Sequence, residues 1–452
     1  MKNCLNLHLK EQNKKNAVGI KRECNKMELD KVIKKLPFKL TDDQIKALDE
    51  IIDDLSSDHK MNRLLQGDVG SGKTIVAFLA MYYNSICGYQ SALMAPTEIL
   101  AIQHYNNIKE VFKDLNIEIA LLTGSISKKE KQYIYKRLES GEISVVIGTH
   151  ALIQEDVKYG NLGLVITDEQ HRFGVNQRAN LKNKGIAVDV LYMSATPIPR
   201  TYALTIYGDM DISTIKQLPS GRKPVKTVVK SEKEMKDVLT SMHEELKNNH
   251  QIYVIAPLIE QSDNSDMTNV YNLRDKMNLA FGSKYNIDIV HGKMKPEAKE
   301  LIMGEFKQNK INILISTTVI EVGVDVENAT MIVIFDAERF GLSTLHQLRG
   351  RVGRNKFESK CILISNTEKE RLKIMETTYD GFEISEQDFK LRGAGDLFGV
   401  KQSGDMSFKI ANLKSDYKIL VQAKKDSLEF LKCKDNNTDA LKIRLIDTIN
   451  HS

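Results

Sequence analysis

The 452-residue chain has no tryptophan, eight prolines and five cysteines. Its cysteines (Cys4, Cys24, Cys87, Cys361, Cys433) are scattered with no C-x-x-C pair. That argues against a zinc site or a disulfide framework and for a reducing compartment. No apolar run approaches the roughly 18 residues that a membrane span needs. The opening "MKNCLNLHLK" has neither an apolar stretch nor a small-residue cleavage site. The expectation is a cytoplasmic protein with no membrane partner. Low-complexity tracts and repeats are not evident beyond a basic start.

What is present is an ordinary globular composition, 41% apolar and 28% charged, in a chain long enough for two or three domains. The net charge of +5 is uneven. Residues 1–40 carry eleven Lys/Arg against four Asp/Glu, and the remainder is slightly acidic. This start reads either as a solvated tail or as a surface for a polyanion.

Short β-branched runs alternate with stretches of helical period. The first set includes "SALMAP" (91–96), "SVVIGT" (144–149), "LVITDE" (164–169) and "VLYMSA" (190–195). After "QLPSGRKP" (217–224) come "IYVIAPLI" (252–259), "IDIVHG" (287–292), "INILIST" (311–317), "MIVIFD" (331–336) and "CILIS" (361–365). Continuous apolar strands separated by helices predict parallel α/β sheets covered on both faces. We therefore expect a connector over 1–35, one α/β lobe over 36–218, a second over 219–366, and a helical region over 367–452.

"GDVGSGKT" matches G-x-x-x-x-G-K-[ST] between a short strand and a helix. Glycines at Gly67, Gly70 and Gly72, with Asp68 and Ser71 between them, let backbone N–H groups and the helix N-terminus face phosphates. Lys73 supplies charge to the terminal phosphates of ATP and Thr74 a hydroxyl to Mg²⁺. In "VITDEQH" (165–171), Asp168 and Glu169 follow a strand. One carboxylate is placed to hold Mg²⁺ and its neighbour to orient a water. "HQLRGRVGR" (346–354) offers Arg351 and Arg354 to the charge on a transferring phosphoryl group.

In this order the motifs resemble those of superfamily 2 helicases: "GDVGSGKT", "APTEILA" (95–101), "DEQH" (168–171), "SATPIPRT" (194–201), "STTVIEVGVDVENAT" (316–330) and "HQLRGRVGR". Longer stretches, "MNRLLQGDVGSGKT", "MAPTEILAIQHY", "DEQHRFGVNQR" and "AERFGLSTLHQLRGRVGR", are similar to the RecG family of branch-migrating DNA translocases. Transcription-repair coupling translocases are also similar, though they usually carry Glu where this chain has Gln170.

The resemblance implies two RecA-like lobes, ATP and Mg²⁺ as cofactors, and branched or duplex DNA as partner. It assigns Gln44 to the adenine edge. Phe38 is either a ring stacked on the base or a staple on the helix beginning near Thr41. Gln347 and Arg351 complete the nucleotide contacts, and Gly323 and Asp325 link nucleotide to DNA. Thr97, Thr123, Gly124, Thr149 and Thr317 either touch sugar-phosphate backbone or act as caps and turn residues. The family's strand-splitting wedge, an OB-fold, has no counterpart in these residues. The expectations are a wedge on a separate polypeptide, a shortened reading frame or a motor acting alone.

"LRGAGDLFGVKQSG" (391–404) looks at first like a second phosphate loop. A dinucleotide fingerprint needs a third glycine where Phe398 stands, and a strand before it. The stretch instead resembles the RecG translocation element, a helical hairpin and loop, with Arg371, Arg392 and Gln402 at its key polar positions. Ala394 and Asp396 depart from the usual "LRGPGE".

Overall fold

The computed structural model describes residues 19–169, 181, 184–185, 187–195, 210–219, 223–256, 265–317, 326–354, 356–367 and 370–392, with 422, 426 and 429. The sequence-level reading of two α/β lobes holds. Lobe 1 contains β1 (Asn62–Gly67), β2 (Gln90–Met94), β3 (Ile119–Leu122), β4 (Val145–Gly148), β5 (Leu162–Thr167), β6 (Asp189–Ser194) and β7 (Asp211–Ile215). They form one parallel sheet in the order β3-β4-β2-β5-β6-β1-β7. Lobe 2 contains β8 (Lys226–Lys230), β9 (Gln251–Ile255), β10 (Ile287–Val290), β11 (Ile313–Ser316), β12 (Ala329–Ile334) and β13 (Lys360–Ile364). Its parallel order is β10-β11-β9-β12-β13-β8.

Strands such as β5, β9 and β12 are buried along their whole length, the consequence of helices covering both faces. In lobe 1, α1 (Lys26–Lys35), α2 (Asp42–Leu55), α3 (Lys73–Ile86) and α4 (Glu98–Val111) cover one face, and α5 (Lys128–Glu139) the other. α2 starts at a capping box in which Thr41 and Gln44 satisfy each other's backbone N–H groups. Lobe 2 carries α6 (Met235–Lys247), α7 (Ser265–Phe281), α8 (Pro296–Lys307) and α9 (Leu342–Arg349). The hairpin of α10 (Glu370–Thr377) and α11 (Gly381–Arg392) packs on lobe 2 through Leu372, Met375 and Ile384.

Two expectations change. The segment around residues 19–35 is not a solvated tail. Leu29 and Val32 of α1 enter the lobe 1 core, and Arg22 is buried against Asp189. Several of its other charges pair with neighbours, Lys26 with Asp49 and Lys31 with Glu28. Second, the cysteines were expected to stay unpaired, yet Cys24 and Cys87 form a disulfide with Cα atoms 5.4 Å apart. The packing of α1 across the end of α3 brings together thiols that the sequence separates.

The lobes also share a repeated design that residue patterns conceal. Gln90 opens β2 and donates Nε2 to the carbonyls of Leu138 and Ile143; Gln251 opens β9 and donates to those of Phe306 and Ile311. Lys131 donates to the Gly124 carbonyl at 2.8 Å, and Lys299 to that of Gly292 at 2.7 Å. The spacing from Thr123 to Thr149 equals that from His291 to Thr317. No helix among the described residues is long and apolar enough to cross a membrane.

Candidate active site

Loops at the carboxyl ends of parallel strands are where an α/β lobe presents groups to a ligand. In lobe 1 that edge carries the Gly67–Thr74 loop between β1 and α3. Gly70 and Gly72 sit at φ 75° and 81°, the left-handed region that glycine tolerates. This conformation turns backbone N–H groups to one side at the α3 N-terminus, an anion cradle. A Cβ at Gly72 would run into the Gln44 amide. The Ser71 hydroxyl is buried with no protein partner, as expected of a cradle shaped for a polar ligand. These residues fit a nucleotide's phosphates.

Lys73 is buried, and its Nζ donates to the carbonyls of Gly67 and Asp68 at 2.8 and 2.9 Å. Burial pushes this ammonium below the ordinary lysine range, against the pull of Glu169, Asp168 and Asp68. The Arg354 charge adds to the downward push, so Arg354 of lobe 2 acts on the same site. Thr74 follows as the second residue of α3.

Asp168 and Glu169 leave β5 beside this loop. Burial would raise the Asp168 carboxyl, but a hydrogen bond from His104, the Lys73 charge and the Glu169 N–H outweigh it and hold it low. His104 Nε2 lies 2.9 Å from Asp168 Oδ2, and the Glu169 N–H donates to Oδ1 at 3.0 Å. Glu169 adopts φ 51°, which costs a non-glycine residue energy. An ionised carboxylate facing the loop is what a divalent cation would need. Thr74 and Asp168 fit that role.

Lobe 2 approaches from the far side through α9. Gln347 is half-buried on this helix, and Arg351 and Arg354 follow in the turn, where Arg354 Nε donates to the Gly350 carbonyl at 3.2 Å. Gly350 abuts Val69 of the phosphate loop. His346 Nε2 reaches Asp68 Oδ1 at 2.5 Å, so the lobes meet at the loop itself.

Gln44 uses its side chain internally: Oε1 accepts from the Thr41 N–H, and Nε2 donates to the Ser71 carbonyl at 2.8 Å. It therefore braces the phosphate loop. Of the two readings of Phe38, the staple does not match its placement. Leu40 packs on the core at the start of α2, and Phe38 is 49% exposed.

The backbone-contact candidates divide. Thr97 caps α4 by accepting from the Leu100 N–H. Thr123 shares a hydrogen bond with Ser125, whose N–H is held by Glu98 beside Gly124. Thr149 and Thr317 stand at the ends of β4 and β11, buried, with hydroxyls that have no partner. Arg371 donates to the Glu338 carbonyl. Arg392 ends α11, while Gly323, Asp325 and Gln402 lie outside the described residues.

Sequence reasoning missed His104, His346 and Arg349, whose partners are remote in the chain. It also missed His291 and Lys293, which follow β10 as Thr123 and Ser125 follow β3. His291 is buried with an unpartnered Nδ1, and burial together with Lys299 and Lys293 pushes its pKa down. The signal was "LLTGSISKKEK" against "IVHGKMKPEAK", too degenerate to see without the fold.

Comparison with known proteins agrees with this geometry. Residues 41–205 match the DEAD/DEAH box helicase family, 233–356 the helicase conserved C-terminal domain, and 378–446 the C-terminal part of domain 3 of ATP-dependent DNA helicase RecG. The chain is 51% identical to ATP-dependent DNA helicase RecG of Bacillus subtilis over 413 residues, covering 90% of this chain and 61% of that protein. It is 49% identical to the protein of the same name from Streptococcus pneumoniae, covering 92% and 62%. A solved RecG bound to a three-way DNA junction superposes with a TM-score of 0.78 at 44% identity, covering 92% of this chain and 55% of that one. The helicase Lhr of Mycobacterium smegmatis, at 17% identity and TM-score 0.55, shares the fold, covering 88% of this chain and 52% of that one. The chain thus spans about three fifths of the length of the curated relatives it matches. It carries both helicase lobes and the hairpin that follows them, and along about nine tenths of its length it is similar to RecG helicases.

Proposed function

We propose that this chain is the ATP-driven motor of a RecG-type DNA translocase, acting on branched or duplex DNA in recombination and repair in the cytoplasm. One observation carries the reading. The phosphate loop and Asp168–Glu169 of lobe 1 meet Arg354 and His346 of lobe 2 at the carboxyl ends of parallel strands. That is the layout for hydrolysis driven by lobe closure.

ATP with Mg²⁺, when bound, supplies the phosphoryl group whose loss powers movement. The chain's own residues do the rest. The Gly67–Thr74 loop cradles phosphates, Lys73 exchanges its two carbonyl partners for them, and Thr74 and Asp168 hold the cation. Glu169 orients the attacking water. Gln347, Arg351 and Arg354 place positive charge and donors opposite the loop, and Phe38 offers its exposed ring to the base. Thr123, Gly124, Thr149 and Thr317 hold DNA by its backbone, so binding is not read from sequence. Lobes over 36–218 and 219–366 form the motor. Arg371, Arg392 and Gln402 belong to the element that passes closure to DNA, and Gly323 and Asp325 couple nucleotide to DNA. A wedge on a separate polypeptide has no support in the fold or the relatives, and the proposal is confined to the motor.

ATP hydrolysis measured with single-stranded, duplex, forked and four-way DNA, and with RNA, tests this. Duplex or branched DNA should stimulate turnover, and Lys73→Ala should abolish it. Absence of hydrolysis with every nucleic acid would sink the proposal.

A further inference from the structure

Asp68 is held twice. Its Oδ1 accepts from the Val69 N–H at 2.6 Å and from His346 Nε2 at 2.5 Å. The other ring nitrogen of His346, Nδ1, lies 2.8 Å from Arg349 Nη2. A guanidinium only donates. Nδ1 must therefore accept, the ring proton sits on Nε2, and the contact with Asp68 is an imidazole N–H donating to a carboxylate. Arg349 is buried and committed elsewhere as well. Its Nη1 donates to the carbonyls of Met375 and Thr378 at 2.9 and 3.0 Å, and its guanidinium lies 5.5 Å from the Tyr379 ring. Those carbonyls belong to the end of α10 and the turn into α11. Gly381, the first residue of α11, closes over the pair. A Cβ there would stand 2.6 Å from His346 Nε2 and 3.0 Å from the Asp68 carboxyl carbon.

We propose that His346 is a positioning residue of the ATP site. Its tautomer, set by Arg349, fixes the Asp68 carboxylate and with it the two carbonyls on which Lys73 rests. The readiness of Lys73 for phosphate then depends on how the Thr378–Gly381 turn is seated. Without the imidazole N–H, a buried carboxylate is left with one strong donor beside the Lys73 ammonium. It turns to that cation and withdraws it from the ligand. This rests on the reading of the loop as a nucleotide site, and His346 acts there through Asp68.

The test is the affinity of the full chain for a fluorescent ADP, measured without DNA and so without turnover. His346→Ala should weaken binding about tenfold, the effect of one charged hydrogen bond, whereas His346→Gln, which keeps an N–H donor, should recover most of it. Asp68→Asn combined with His346→Ala should bind better than His346→Ala alone, because no carboxylate remains to capture Lys73. DNA-stimulated kcat at saturating ATP should change far less than KM. Imidazole nitrogen NMR of the unsubstituted chain should show Nε2 protonated at the resonance lost in His346→Gln. Undiminished ADP affinity in His346→Ala, no recovery in the double variant, or a proton on Nδ1 would each overturn the inference. If the unsubstituted chain does not bind ADP, the reading of the nucleotide site itself fails.

Discussion

Arg22 and Asp189 meet at 2.6 Å with both side chains inside lobe 1. Arg22 also donates to Asn84, to the Gly163 carbonyl and to the Leu55 carbonyl, and Asp189 accepts from the Met61 N–H at 2.6 Å. The segment ahead of the first helix is thereby locked to the sheet. Removing one partner leaves a buried charge uncompensated. Arg22→Ala should lower stability by about 3–5 kcal/mol. Replacing the pair together, Arg22→Met with Asp189→Leu, should cost clearly less than either single change. Urea unfolding followed by circular dichroism checks this; strict additivity of the two losses would contradict it.

The unpartnered hydroxyls of Thr149 and Thr317 separate function from stability. A buried hydroxyl without a partner carries an uncompensated desolvation cost, so its replacement by a methyl of the same shape is neutral to slightly stabilising. Thr149→Val and Thr317→Val should shift the thermal midpoint by no more than about 2 °C. Each should nevertheless raise the duplex concentration needed to half-stimulate hydrolysis by about fivefold, one lost backbone hydrogen bond. A stability loss without a DNA effect would assign both residues to the core.

Lys293 stands where lobe 2 repeats the lobe 1 loop of Ser125. Lys293→Ala should weaken binding to all duplexes alike and reduce the salt slope of binding by about 1. Fluorescence titrations at several salt concentrations measure both. A sequence-dependent loss would argue for base reading.

Asp68 gives a pH signature. Burial acts to raise its carboxyl, but the bond from His346, the Val69 N–H and the Lys73 charge outweigh that and hold it below the ordinary value. A carboxylate depressed in the folded state stabilises above its unfolded pKa, near 3.9, and loses that stabilisation as pH falls through its folded value. The stability difference between the unsubstituted chain and Asp68→Asn should stay constant from about pH 6 to 8 and shrink below about pH 4. A difference that grows on acidification would reverse the assignment.

The sequence by itself determined the parts whose chemistry is local. Strand runs without polar alternation announced parallel sheets with both faces covered, and among the described residues two parallel sheets contain them. Gly70, Gly72 and Lys73 belong to one unbroken loop, so its backbone geometry follows from adjacent residues. The acidic pair after β5 was legible for the same reason. Only the tertiary structure decided which distant groups meet. His104 reaches Asp168, and His346 reaches Asp68, through helix packing that periodicity does not encode. The bond from Gln44 to the Ser71 carbonyl also came only from the fold, because a side chain's partners depend on what packs against it. The correspondence of Thr123 with His291 needed the fold, since hydrogen bonds to backbone carbonyls preserve a shape while letting the residues change.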